Sequence, residues 1–353
     1  MSGQRVYLDH AAATPLHTEA REAMLGAFDC WANPNSPYEE ARKCRKLLED
    51  ARSRIAKALD WRHDVIFTSG ASEAIMLAGE QARVPGRIHG CTEHAIVPHA
   101  MGPDSIELPV DEHGLIDMDA LDAALAKGPA LVAIQMVNNE TGVMQPIDAI
   151  YAKVQAAGSV LLCDAAQGAG KKDLPDADMI CVSAHKLGGP AGMGALLVKD
   201  MGQLEPVGGG QEKGYRRGTQ NVPDAVGFAA AIEAGRFRAA MPRLTELRER
   251  FEAEVKAMGG KIVGEGAPRT PTIGGIAMPG ATSAAMLVQL DLAGISVSSG
   301  SACSSGAMKG SKVVHNMGLG EEISNHFIRV SFGPETSSED VDRVLGELRK
   351  FAA

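Results

Sequence analysis

Lys186 is the side chain with the most chemistry to offer. It follows a short apolar run, Met179–Val182, stands beside Ser183 and His185, and leads into Leu187-Gly188-Gly189-Pro190. An amine held just past an apolar strand can enter a crevice, where a lowered pKa lets it form a Schiff base with a carbonyl. Asp164 ends another apolar run, Ser159–Cys163. A lysine and a carboxylate so placed match the pairing that holds a pyridoxal ring, the amine on its aldehyde carbon and the acid on its ring nitrogen. The alternative for Lys186 is a solvated turn lysine, the usual fate of that residue type.

Other polar clusters fall at equivalent places. Asp64–Thr68 is followed by Ser69-Gly70-Ala71-Ser72-Glu73, Arg87–Cys91 by Thr92-Glu93-His94, and Leu131–Val137 by Asn138-Asn139-Glu140-Thr141-Gly142. Asp164-Ala165-Ala166-Gln167 and Ser183-Ala184-His185-Lys186 complete the set. Ser-Gly-Ala-Ser at the start of a helix offers hydroxyls and backbone N–H groups to a phosphate, although serine also caps helices routinely. Neither G-x-G-x-x-G nor G-x-x-x-x-G-K-[ST] occurs where a dinucleotide or P-loop site would need it.

These clusters need a scaffold that brings strand ends together. The apolar runs, with Ser105–Leu108 and Gly194–Val198, alternate with helical patterns such as Ser72–Gln81, Asp119–Lys127 and Pro146–Ala157. Strands alternating with helices imply an α/β fold with a mainly parallel sheet, covered on both faces because its strands are continuously apolar. Ligands of such sheets bind outside the carboxyl ends of the strands. From Pro223 to Met258 the pattern is one long helix or a kinked pair, with Pro242 as the expected break. Strands at Gly274–Ala277 and Ile295–Ser298 and helices at Ser283–Leu292 and Ser338–Phe351 then read as a smaller α+β domain.

Composition narrows the function classes. The 353 residues are 45% hydrophobic and 22% charged, as in ordinary globular proteins, and carry a formal net charge of -9. That charge argues against a nucleic-acid backbone as partner. No apolar run reaches the ~18–20 residues of a membrane span, and the first residues hold no apolar signal core. The expectation is a cytoplasmic protein with neither nucleic acid nor membrane as partner. The six cysteines contain no C-x-x-C, so no metal site is expected, and in a reducing compartment a disulfide framework is not expected either.

Nearly the whole chain resembles the cysteine desulfurases of iron–sulfur-cluster assembly and nitrogenase maturation, in the class-V aminotransferase superfamily. The resemblance rests on Tyr7-Leu8-Asp9-His10-Ala11-Ala12-Ala13-Thr14-Pro15, Asn33-Pro34-Asn35-Ser36, the strand-end clusters above, Gly208-Gly209-Gly210-Gln211-Glu212, Arg217-Gly218-Thr219, Ser298–Cys303 and Ile328-Arg329-Val330-Ser331. It implies the pyridoxal-phosphate transferase fold of type I. Residues 15–243 would form the large domain with a seven-stranded sheet, and residues 1–14 with 244–353 the small one. It implies pyridoxal 5'-phosphate on Lys186, Asp164 on the ring nitrogen, Gln167 on the phenolic oxygen and His94 stacked on the ring, able to move protons. Ala71, Ser72, Ser183 and His185 would hold the phosphate. Thr219 would reach the partner subunit's phosphate in a homodimer with shared sites. Asn139 and Arg329 would hold the carboxylate of L-cysteine.

Cys303 then stands apart from the other cysteines. Its neighbours are small, polar and glycine-rich, whereas Cys163 and Cys181 follow apolar residues. That pattern predicts an exposed, movable loop and a thiol able to ionise and attack. The resemblance makes it the acceptor of the substrate's sulfur, as a persulfide passed on to an iron–sulfur scaffold or another acceptor protein, with alanine released. Cys30, Cys44 and Cys91 read as packing cysteines. The alternatives are a selenocysteine lyase or a small-substrate aminotransferase of the same fold. The sequence departs from the family pattern in Ser72, where many members have threonine, and in the short segment His94–Asp111.

Overall fold

The computed structural model describes residues 5–300 and 310–352. Cys303 lies outside them. In chain order the elements begin β1 (Val6–Tyr7), α1 (Thr18–Ala27), α2 (Glu39–Ala58), β2 (Asp64–Thr68), α3 (Ala71–Gln81), β3 (Gly86–Gly90), α4 (Ile96–Met101) and β4 (Ile106–Leu108). There follow α5 (Met118–Leu125), β5 (Ala130–Gln135), α6 (Ile147–Ala156), β6 (Val160–Asp164), β7 (Met179–Ser183) and β8 (Gly194–Val198). The remainder is α7 (Val222–Ala234), α8 (Arg236–Ala257), β9 (Lys261–Ile262), β10 (Ile273–Ala277), α9 (Ser283–Leu292), β11 (Ile295–Ser296), α10 (Lys312–Asn316), α11 (Gly320–Asn325), β12 (Phe327–Ser331) and α12 (Ser338–Leu348).

Seven strands form the main sheet in the order β2-β8-β7-β6-β5-β3-β4. Pairing is parallel from β4 through β7, while β8 runs antiparallel to both β7 and β2. Successive side chains of a strand point to opposite faces, and here both faces are buried. Leu131, Ala133, Leu162 and Cys181 join the core under α3 and α4. Val132, Ile134, Cys163 and Val182 join the larger core that includes α2, α6 and α7. This is why the strands read as unbroken apolar runs. The fold is the expected α/β class with a mainly parallel sheet.

A smaller antiparallel sheet, β12-β10-β9, follows, and its middle strand is wholly buried. α8 and α9 pack against it, and α12 packs on α8. The N-terminal segment ties into this part of the molecule: β1 pairs with β11, and Asp9 bridges to Ser331 at the end of β12. Among the described residues no helix is long and apolar enough to cross a membrane.

Two expectations need correction. The long C-terminal helical stretch breaks at Gly235 rather than at Pro242. Gly235 has φ 59°, a left-handed conformation that ends α7 at little cost for glycine, while Pro242 is accommodated inside α8. Cys30 and Cys44 are not separate packing cysteines, because they form a disulfide. Cys30 lies just beyond α1 and Cys44 on the buried side of α2. Both helices pack on α7, which leaves the two Cα atoms 5.5 Å apart, within disulfide reach. The closure depends on a third element far along the chain, so residue spacing carries no trace of it.

Candidate active site

At the carboxyl ends of the parallel strands lies a cavity of about 420 Å³. Its walls include Ala71, Ser72, His94, Asn139, Asp164, Gln167, Ser183, His185, Lys186 and Arg329. Nine of these come from strand ends of the large sheet and the turns that follow them. Arg329 comes from β12, so the smaller sheet closes the cavity. The N-terminal segment supplies Ala11 and Ala12.

Lys186 ends a single tight turn after β7. Its Nζ donates to the backbone oxygens of Ala11 at 2.5 Å and Ala12 at 2.7 Å. Gly188 has φ 79°, and a Cβ there would strike the His17 ring, so the chain leaves Lys186 through a turn that only glycine fits. Asp164 is the last residue of β6. Its Oδ1 accepts the Ala166 N–H at 2.9 Å and the Cys181 thiol at 3.4 Å. With one oxygen so occupied, the carboxylate plane is set and Oδ2 remains for a ligand.

The wall at the start of α3 is built differently. α3 opens at Gly70 with no side chain capping it, so its first-turn N–H groups are available to an anion. The Ser183 hydroxyl and His185 Nδ1 lie 2.9 Å apart on the same cavity wall. Burial pushes the His185 ring down to about 4, with Lys186 and Lys171 adding repulsion. Arg329 is 2% exposed. Its Nη1 donates to the Asn139 backbone oxygen at 2.9 Å and its Nη2 to Asp9 Oδ1 at 2.6 Å, while its Nε is buried without a partner. An orphaned guanidinium donor at a cavity wall is a ready carboxylate site. An uncapped helix end, an amine, a half-occupied carboxylate and that guanidinium together fit pyridoxal 5'-phosphate with an amino-acid substrate.

Not every expected residue gathers here. Thr219 is exposed and lies outside the cavity walls, in the segment after Glu212. Other residues belong to the site's surroundings without having been singled out. Asp9 holds Arg329, and its place in the N-terminal motif was the available signal. Glu93 is buried beneath the cavity, where its Oε1 accepts the Gln135 N–H at 3.0 Å. Burial and nearby Asp164 hold its carboxyl well above the usual range. Lys171 lies behind Gln167, and only its four-residue spacing from Gln167 hints at the contact. Among the described residues no cluster of metal-ligating side chains occurs.

The class-V aminotransferase family model matches residues 6–344. A cysteine desulfurase of Cereibacter sphaeroides is 35% identical, aligned over 97% of this chain and 94% of its own length. The cysteine desulfurase IscS of Dictyoglomus turgidum is 33% identical over 99% and 94%. Among solved structures, a NifS-like protein from Rickettsia africae superimposes with a TM-score of 0.90 at 29% identity, covering 99% of both chains. SspA in complex with cysteine superimposes at 0.80 with 29% identity, covering 94% of this chain and 100% of the other.

Proposed function

The chain belongs to the cysteine desulfurases of the class-V aminotransferase superfamily, enzymes that work with pyridoxal 5'-phosphate, and we propose that it converts L-cysteine to L-alanine with the sulfur passing through Cys303. The observation that carries this reading is the meeting of Lys186, Asp164 and the orphaned Arg329 Nε on one cavity. The group, when bound, supplies an aldehyde carbon that links to amines and a ring that draws electron density from the substrate.

The chain's own residues do the rest. Lys186 would hold the group and, once freed from it, would move the proton of the substrate's Cα. Asp164 would face the ring nitrogen and keep it protonated. Gln167 would donate to the phenolic oxygen, and His94 would lie against the ring. The α3 N-terminus at Ala71, with Ser72, Ser183 and His185, would hold the phosphate. Arg329 and Asn139 hold the substrate carboxylate, so Cα is presented to Lys186 in one orientation. The Cys303 thiolate attacks the substrate sulfur. The new S–S bond forms as the C–S bond breaks, a proton returns to Cβ, and alanine leaves a persulfide behind. Thr219, exposed and away from its own cavity, suits a homodimer in which it serves the partner's phosphate. An acceptor protein, such as an iron–sulfur scaffold, removes the sulfur in the cytoplasm.

Purified protein should show the absorption band of a lysine-linked cofactor, and L-cysteine should change it. Cys303→Ser should keep the band and lose alanine release. Full-rate desulfuration by that variant would sink the assignment of Cys303, and keto-acid turnover in its place would favour an aminotransferase.

A further inference from the structure

We propose that Lys171 is a positioning residue of this site: from behind the cavity wall it fixes the Gln167 amide and, as a second cation, disfavours a charge on Lys186. The inference rests on the cofactor reading above and adds a residue to it.

The contacts form a chain. Lys171 Nζ donates to Gln167 Oε1 at 3.4 Å. The other end of that amide, Nε2, donates to the Ala11 backbone oxygen at 2.8 Å. The same oxygen accepts from Lys186 Nζ. Two lysines are therefore joined through one amide and one carbonyl. With its oxygen turned to Lys171, Gln167 can present only its remaining N–H to the cavity. Without Lys171 the amide could flip, since its two ends are nearly the same shape, and would then offer a carbonyl to an oxygen of the cofactor.

The electrostatics of Lys171 point the same way. The residue is 4% exposed, and no carboxylate among the described residues pairs with it. Its ammonium lies over the Phe237 ring of α8, 4.7 Å from the centroid. The other groups that feel its charge are His10 from the N-terminal segment, His185 and Lys186 from the turn after β7, and Arg329 from β12. None of them is an acid. Burial, then Lys186, then Arg329 bring its amine down to about 7. Repulsion between two titrating groups is mutual, so a charge on Lys171 makes the uncharged amine of Lys186 easier to reach. A methionine would fill the same volume without the cost of burying a charge.

The test uses the cofactor-loaded native protein beside Lys171→Met and Lys171→Arg, with the lysine-linked absorption band followed across pH. Loss of the neighbouring cation should raise the titration midpoint in Lys171→Met by about one pH unit. Lys171→Arg, permanently charged, should titrate at or below the native midpoint. Thermal melts establish that each variant is folded, and Lys171→Gln carries the same expectation should Lys171→Met not fold. Midpoints that coincide in all folded variants would overturn the inference and leave the cofactor reading intact. A native protein that takes up no cofactor would overturn both.

Discussion

Arg52 and Arg329 are both held inside the protein against carboxylates, but their surroundings use them differently. Every nitrogen of Arg52 is bonded. Nη1 donates to the Val65 backbone oxygen and to Glu212, Nη2 to Glu212 and Glu49, and Nε to Glu49. Its guanidinium also stacks on the Phe67 ring at 4.5 Å. Glu212 is itself saturated, accepting the Phe67 N–H and the Gln220 amide as well. Those bonds hold Glu212 and Lys213 at φ 44° and 56°, a left-handed conformation costly for residues other than glycine. Arg329 has two partners and a buried nitrogen left over. An arginine with no donor to spare fastens loops together, whereas a buried one with a spare donor at a cavity wall is prepared for a ligand.

The largest effect should come from the closed network. Arg52→Met leaves Glu212 buried and uncompensated, which costs about 3–5 kcal/mol. Denaturant unfolding should register that loss. A midpoint close to the native one would mean that the 208–220 segment is held by something else. Next comes Arg329→Lys, which keeps a charge for Asp9 but loses the planar fork. The charge-assisted bond from the spare Nε, about 1.5–3 kcal/mol, is at stake, so kcat/KM for alanine release should fall roughly 10- to 100-fold. Melting should move far less than in the Arg52 variant. A stability loss with unchanged kcat/KM would place Arg329 in the same class as Arg52. The smallest effect belongs to an exposed arginine. Arg83 pairs with Glu205 at the surface, and Arg83→Ala should cost less than about 1 kcal/mol and leave turnover alone.

Much of this contrast could not be read in advance. The motif at Ile328–Ser331 singled out Arg329, yet its spare nitrogen depends on how Asp9 and Asn139 occupy the others. Arg52 carried no signal at all, since one arginine among the charges of α2 looks like surface. The same holds for Lys171, an ordinary turn lysine until Phe237, Gln167 and Arg329 close around it. Cys30 and Cys44 failed for a related reason: the helix that brings them together, α7, lies far along the chain.

What the sequence determined by itself is local and periodic. Continuous apolar runs specified the strands, because a strand buried on both faces has no polar position. The Asp64–Thr68 and Gly194–Val198 runs match their strands to the residue. Polar clusters directly after the runs marked the rim of the cavity, because strand polarity is shared in a parallel sheet. Tertiary structure alone decided which polar atoms keep a free hydrogen-bonding position. That depends on contacts between segments far apart in the chain, such as Arg329 with Asp9 and Lys186 with Ala11, where one bond made or left unmade separates a structural cation from a working one.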